Sequence, residues 1–203
     1  MKRKLSPLCL AAVLLCQAHA GRAQDKKNPP ASHGGKIETR YDGVGRETVV
    51  VLKRMPVSCE SGKRLQNSLK GVCVSLQAVL HCPGQQLDYV RHVTLQLTFE
   101  TKDWDSRHPL DRRDLTAVAD GETIRLGRMR LAEQGVADSW TATDSKEILE
   151  LNVPYEAFKK LALATSVELA VGRTAFELRE KNVAALRDLN NRVNLAGKQA
   201  GGN

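Results

Sequence analysis

The sequence predicts a mainly β protein, an antiparallel β-sandwich carrying a crossover helix and a C-terminal amphipathic helix, with an open β-barrel as the alternative. Three observations carry that prediction. About nine short runs rich in β-branched or alternating apolar residues recur along the chain. Four of them form two pairs joined by two-residue turn sequences. No regular strand–helix alternation of the kind that builds parallel sheets separates them.

Residues 1–20 read as a secretory signal peptide. Lys2, Arg3 and Lys4 precede an apolar stretch from Leu8 to Leu15, and Ala18 and Ala20 set small residues before a cut that starts the mature chain at Gly21. Cys16 follows the bulky Leu15 where a lipidation signal wants a small residue, so the reading is soluble export, periplasmic in a Gram-negative cell, rather than a lipoprotein. Residues 21–36 are polar, with Pro29-Pro30 and Gly34-Gly35, and offer too little apolar surface to offset chain entropy; they read as a disordered linker. A single domain is expected over 37–194.

Within it, residues 47–52 form a β-branched run. Residues 71–82 place Val72, Val74, Leu76, Ala78 and Leu80 on one face. The run 89–99 alternates most clearly, with Tyr89, Val93, Leu95, Leu97 and Phe99 on one face and His92, Thr94, Gln96 and Thr98 on the other, which predicts a strand with one wet side. Asp120-Gly121 joins 115–119 to 122–126, and Gly172-Arg173 joins 167–171 to 174–178; both read as hairpins. The run 147–153 alternates as another strand, with 136–143 as its candidate partner.

Two helices complete the order. Pro154 stands where a missing N–H is harmless, and Tyr155, Phe158, Leu161 and Ala162 recur at helical spacing, predicting a crossover helix over 154–164. Val183, Leu186, Leu189 and Val193 repeat the pattern over 180–193, opposite a polar face of mixed charge that suits packing on the sandwich better than a membrane surface. Residues 195–203 read as a flexible tail. About 150 ordered residues bury roughly 70% of the unfolded chain's surface, enough for a core without extra staples.

Charge narrows the function classes. The formal net charge of +8 includes three positive charges in the leader and a net three more in residues 21–36, which leaves +2 on the domain. A phosphate-tracking surface needs a larger excess, so nucleic-acid binding is not expected. No apolar run beyond the leader approaches the roughly 18 residues of a spanning helix, so no transmembrane segment is expected in the mature chain.

The mature chain keeps Cys59, Cys73 and Cys82, an odd number that allows one internal bridge. Nine residues of strand between Cys73 and Cys82 span about 30 Å, whereas a disulfide needs Cα atoms within about 7 Å. Cys59 is therefore expected to pair with Cys73, with Cys82 as the runner-up partner, and one thiol is left that could join a partner through a mixed disulfide. The spacing lacks the paired cysteines and histidines of a zinc site, so neither a metal nor a cofactor is expected.

The residues Leu110-Asp-Arg-Arg-Asp-Leu115, Ala119-Asp-Gly-Glu122, Leu126-Gly127, Glu147-Ile-Leu149, Val153-Pro-Tyr-Glu-Ala-Phe158, Val167-Glu-Leu169, Val171-Gly172, Phe176-Glu-Leu178 and Ala185-Leu-Arg187 set a distinctive spacing over about 110–190. It resembles a recurrent family of exported bacterial β-rich proteins of uncharacterised function. Nearly every matching residue is a turn, cap or core position, so the resemblance implies a shared fold and carries no catalytic residue across. It does not extend to the cysteine-bearing first half.

No nucleophile elbow, zinc-protease helix, phosphate loop or dinucleotide fingerprint occurs. The richest polar cluster, Asp103 to Asp114, holds Ser106 and His108 among four aspartates and three arginines; it reads first as a solvated charge network and second as the site of a weak hydrolase. Trp104 and Trp140 stand among polar residues, where an indole can serve surface recognition. The sequence thus points to an exported, non-catalytic binding or envelope-accessory module, its partner an envelope protein, with the hydrolase as the alternative.

Overall fold

The computed structural model describes residues 33–59, 72–101, 113–136, 145–172 and 174–200. Among the described residues, alternating apolar residues build ten strands in two antiparallel sheets. The first sheet holds β1 (Ile37–Asp42), β2 (Glu47–Cys59), β3 (Val72–Pro83), β4 (His92–Thr101), β7 (Arg130–Val136) and β8 (Ser145–Val153), in the order β1-β2-β3-β4-β8-β7. The second holds β5 (Asp114–Ala119), β6 (Glu122–Arg128), β9 (Val167–Val171) and β10 (Thr174–Leu178), in the order β10-β9-β5-β6. Each sheet keeps its own two edges, so the sandwich-like arrangement is adopted and the barrel alternative is not.

The inner faces follow the predicted parity except at Tyr89, which precedes β4 and is exposed. Leu76, Ala78 and Leu80 of β3 and Val93, Leu95 and Leu97 of β4 are buried against Leu115, Ala117, Leu169 and Val171 of the second sheet in one continuous core. Phe99 of one sheet meets Phe176 of the other edge to face, with ring centroids 6.4 Å apart. Helix α1 (Tyr155–Leu163) carries the chain from β8 in the first sheet to β9 in the second, and α2 (Glu180–Ala200) follows β10; Phe158, Leu161, Val183, Leu186 and Leu189 close the same core.

Local chemistry fixes the joints. Asp120 and Gly121 both take positive φ, +48° and +87°, as a primed two-residue hairpin turn requires. The Asp120 carboxylate accepts hydrogen bonds from the Ser166 and Thr165 backbone N–H groups, which hold it below the usual carboxylate range and pin this hairpin to the segment after α1. The amide oxygen of Asn182, at the third position of α2, accepts from the Arg179 N–H while its NH2 donates to the Pro56 carbonyl, tying the helix start to β2. The Tyr155 hydroxyl donates to Asn190, and Arg187 donates to the Ala164 carbonyl at the end of α1.

Several boundaries differ from expectation. β1 was not anticipated because its residues are mostly exposed, as suits an edge strand bearing the Lys36–Glu38–Lys53 charge cluster. β2 runs past Leu52 through Pro56, where register shifts accommodate a residue that cannot donate to the ladder. The partner of β8 is β7 at Arg130–Val136, not 136–143: after Arg128, still paired with Asp114 of β5, the chain crosses to the first sheet over Met129, and residues 137–144 lie outside the described ones. Helix α2 continues to Ala200, past the tail boundary expected at 195. In the segment expected to be a linker, His33 is buried; its Nδ1 accepts from the Gly35 N–H and its Nε2 bonds Asp188 of α2 at 3.2 Å.

Candidate site on the outer face of the six-stranded sheet

Strand parity that buries Leu76, Ala78 and Leu80 must turn Gln77, Val79 and His81 outward, and the same holds for His92, Thr94 and Gln96 on β4. Register then sets these residues in rows across the sheet. Arg40, Val49, His81 and His92 are successive partners over β1 to β4. Val79, Thr94 and Asn152 form the next row, and Gln77, Gln96, Glu150 and Arg130 the one after, reaching β7. Together they line a groove of about 660 Å³, within the range of small-ligand sites, with Tyr41, Asp42 and Glu47 at one end.

A continuous hydrogen-bond chain crosses its floor. Glu47 Oε1 lies 2.9 Å from His81 Nδ1, His81 Nε2 lies 3.0 Å from Thr94 Oγ1, and the Thr94 hydroxyl donates to Asn152 Oδ1 at 2.7 Å. Thr94 has one proton to give. With that proton given to Asn152, the Thr94 oxygen stays an acceptor toward His81 Nε2, and carboxylate, imidazole, hydroxyl and amide form one line of hydrogen bonds from β2 through β3 and β4 to β8.

His92 is the register partner of His81 and stacks on it, with ring centroids 4.3 Å apart and planes inclined by 15°. Burial pushes the His92 imidazole below its usual range; the neighbouring His81 and Arg91 add to that shift, and Glu47 opposes it. A neutral His92 offers one donor and one acceptor beside this line of hydrogen bonds. Arg91 lies 3.9 Å from the second Glu47 oxygen, so the carboxylate faces an imidazole on one side and a guanidinium on the other.

The order acid, imidazole, hydroxyl matches the relay of an acyl-transfer triad. Its surroundings do not: Thr94 stands in mid-sheet, where the backbone N–H groups of β3, β4 and β8 are committed to the ladders and leave no backbone oxyanion cradle. Among the described residues, no group of three His, Cys, Asp or Glu side chains is placed to hold a metal ion.

The residues singled out from sequence fall elsewhere. Trp104, Trp140, Ser106 and His108 lie outside the described residues. Cys59 and Cys73 are register partners on β2 and β3, at the far end of the face from His81. Cys82 is a buried free thiol at the other end of β3, opposite Thr48, which gives the runner-up pairing with Cys59 no support. Burial, with Asp88 and Glu47 nearby, pushes that thiol up to about 11, so a mixed disulfide through Cys82 is disfavoured. The sequence reading does not single out Glu47, His81 or Asn152; the available signal is the recurrence of polar residues at outward positions of β3 and β4, Gln77 and His81 on one and His92, Thr94 and Gln96 on the other. Among the described residues, no helix is long and apolar enough to cross a membrane. No protein-family model, curated protein or solved structure matches this chain.

Proposed function

We propose that this chain is an exported binding module of the bacterial envelope, and that the outer groove of the six-stranded sheet is its ligand site. One observation carries the reading: a groove of about 660 Å³ lined by side chains from six strands, on a scaffold whose opposite face is the core. Strand-borne side chains held by register form a pre-organised recognition surface, which suits binding without a conformational step. The test is retention of envelope components by the mature chain and by its Gln96→Arg variant, which fills the groove with a long cation. Equal retention of every component by both would overturn the reading.

A second reading is favoured by one specific observation, the Glu47–His81–Thr94 relay. It moves the hydrolase alternative from the Asp103 to Asp114 loop to the sheet face. Ester and peptide substrates discriminate: on the binding reading any turnover is unchanged in Thr94→Ala, whereas a loss of about a hundred-fold or more would identify Thr94 as a nucleophile.

A further inference from the structure

We infer that the groove selects a neutral, polyhydroxylated ligand, a saccharide chain lying across the strands. This rests on the binding reading above and adds the chemical class. The first argument is charge. Arg130 is paired with Glu150 at 2.5 Å, and Glu47 with His81 at 2.9 Å; Arg40 is accompanied by Asp42 two residues along the same strand. Cations and carboxylates alternate along the face, so neither an anion nor a cation meets a field of one sign.

The second argument is the hydrogen-bonding capacity left over. Gln77 and Gln96 are register partners at the centre of the groove, and neither side chain has a partner among the described residues. Asn152 accepts from Thr94 through its oxygen and keeps its NH2. Each primary amide presents a donor and an acceptor in one plane, which is what adjacent hydroxyls, themselves donors and acceptors, can satisfy in pairs. Tyr41, half-exposed at the end of the groove, supplies an aromatic face for the apolar side of a sugar ring.

The third argument sets aside the competing occupants. An extended peptide bound by strand addition needs free backbone N–H and C=O groups at a sheet edge, whereas the amides lie on β3, β4 and β8, all paired on both sides. An apolar ligand would find little beyond Val49 and Val79. What remains is side-chain recognition of a neutral polar chain.

The test is an NMR titration of the isotope-labelled mature chain with a panel of neutral hexasaccharides differing in linkage, a hexauronate, and an acidic hexapeptide. The expected result is that a neutral hexasaccharide shifts the amides of β3, β4 and β8. Its affinity should hold within about two-fold between roughly 0.05 and 0.5 M salt, although the screening length falls about three-fold over that range. The Gln77→Ala/Gln96→Ala double variant should weaken binding about ten-fold, the worth of two lost amide contacts, with an unchanged melting temperature. Groove shifts produced only by the hexauronate or the peptide would overturn the saccharide class and leave the binding reading standing. Absence of groove shifts with every probe, or saccharide binding indifferent to the double variant, would overturn the inference; groove-directed retention in the Gln96→Arg comparison then tells whether the binding reading falls with it.

Discussion

Removing the Asn182 side chain should cost about 2 kcal/mol, because this amide makes two structural hydrogen bonds from a site that is 1% exposed. Its oxygen takes the Arg179 N–H at 3.1 Å, a cap-type contact worth roughly 1 kcal/mol. Its NH2 gives a 3.0 Å bond to the Pro56 carbonyl, worth about another 1 kcal/mol. Arg179 and Pro56 are themselves exposed, so the released backbone groups recover water and the larger penalty of a buried orphan does not apply. Urea unfolding followed by far-UV circular dichroism measures the change; for a chain of this size, 2 kcal/mol corresponds to a fall in melting temperature of about 4–8 °C. Asn182→Asp tests the directionality. A carboxylate still accepts from Arg179 but faces the Pro56 oxygen, and burial raises its folded pKa above the unfolded value. Its stabilising contribution is therefore present below the unfolded pKa and lost as pH rises through the folded one, so the aspartate variant should recover stability on acidification. An alanine variant within about 0.5 kcal/mol of the parent, or an aspartate deficit that grows as pH falls, would refute the reasoning.

Three further outcomes concern a buried carboxylate and the cysteines. Glu147 is 4% exposed, burial raises its carboxyl, and Arg113 at 3.2 Å opposes that rise; Arg113→Ala should cost about 1–3 kcal/mol at neutral pH and progressively less as pH falls through the carboxyl's raised folded pKa, above its unfolded value, where the native carboxyl takes up its proton, measured by paired melts across that range. For the cysteines, mass mapping of non-reduced peptides should find Cys59 joined to Cys73, since register partners sit about 4.5–5.5 Å apart at Cα, within disulfide reach. Native Cys82 should alkylate at least about a hundred-fold more slowly than an exposed thiol, because a pKa of about 11 leaves that much less thiolate; rapid native labelling would contradict its burial.

What the sequence made legible was parity. The alternation in Val74 to Leu80 and in Val93 to Phe99 reports which side of each strand is dry, because only one face can join the core, and the structure places both sets inside. The Asp-Gly turn was equally readable, since positive φ at two successive positions restricts the residue types. Strand order was not readable. β8 lies beside β4 although the sequence places β5, β6 and β7 between them, and the chain passes from β6 in one sheet to β7 in the other over the single residue Met129, a transfer that no periodicity encodes.

That difference explains why half the candidate site was visible and half was not. His92, Thr94 and Gln96 could be assigned to a wet face from β4 alone, but the Thr94–Asn152 bond joins positions 58 apart and exists only because β4 and β8 are neighbours. Glu47 and His81 likewise meet only through the β2–β3 register. The same comparison separates scaffold from site. A solvated sheet face is stabilised well enough by threonine, valine and opposite-charge pairs, and this sheet uses the last of these in the Lys36–Glu38–Lys53 cluster. Folding has no need for two stacked imidazoles backed by a carboxylate, with unpartnered amides two rows further on. The residues that the fold leaves unexplained are those gathered in one groove, which is the physical reason for placing function there.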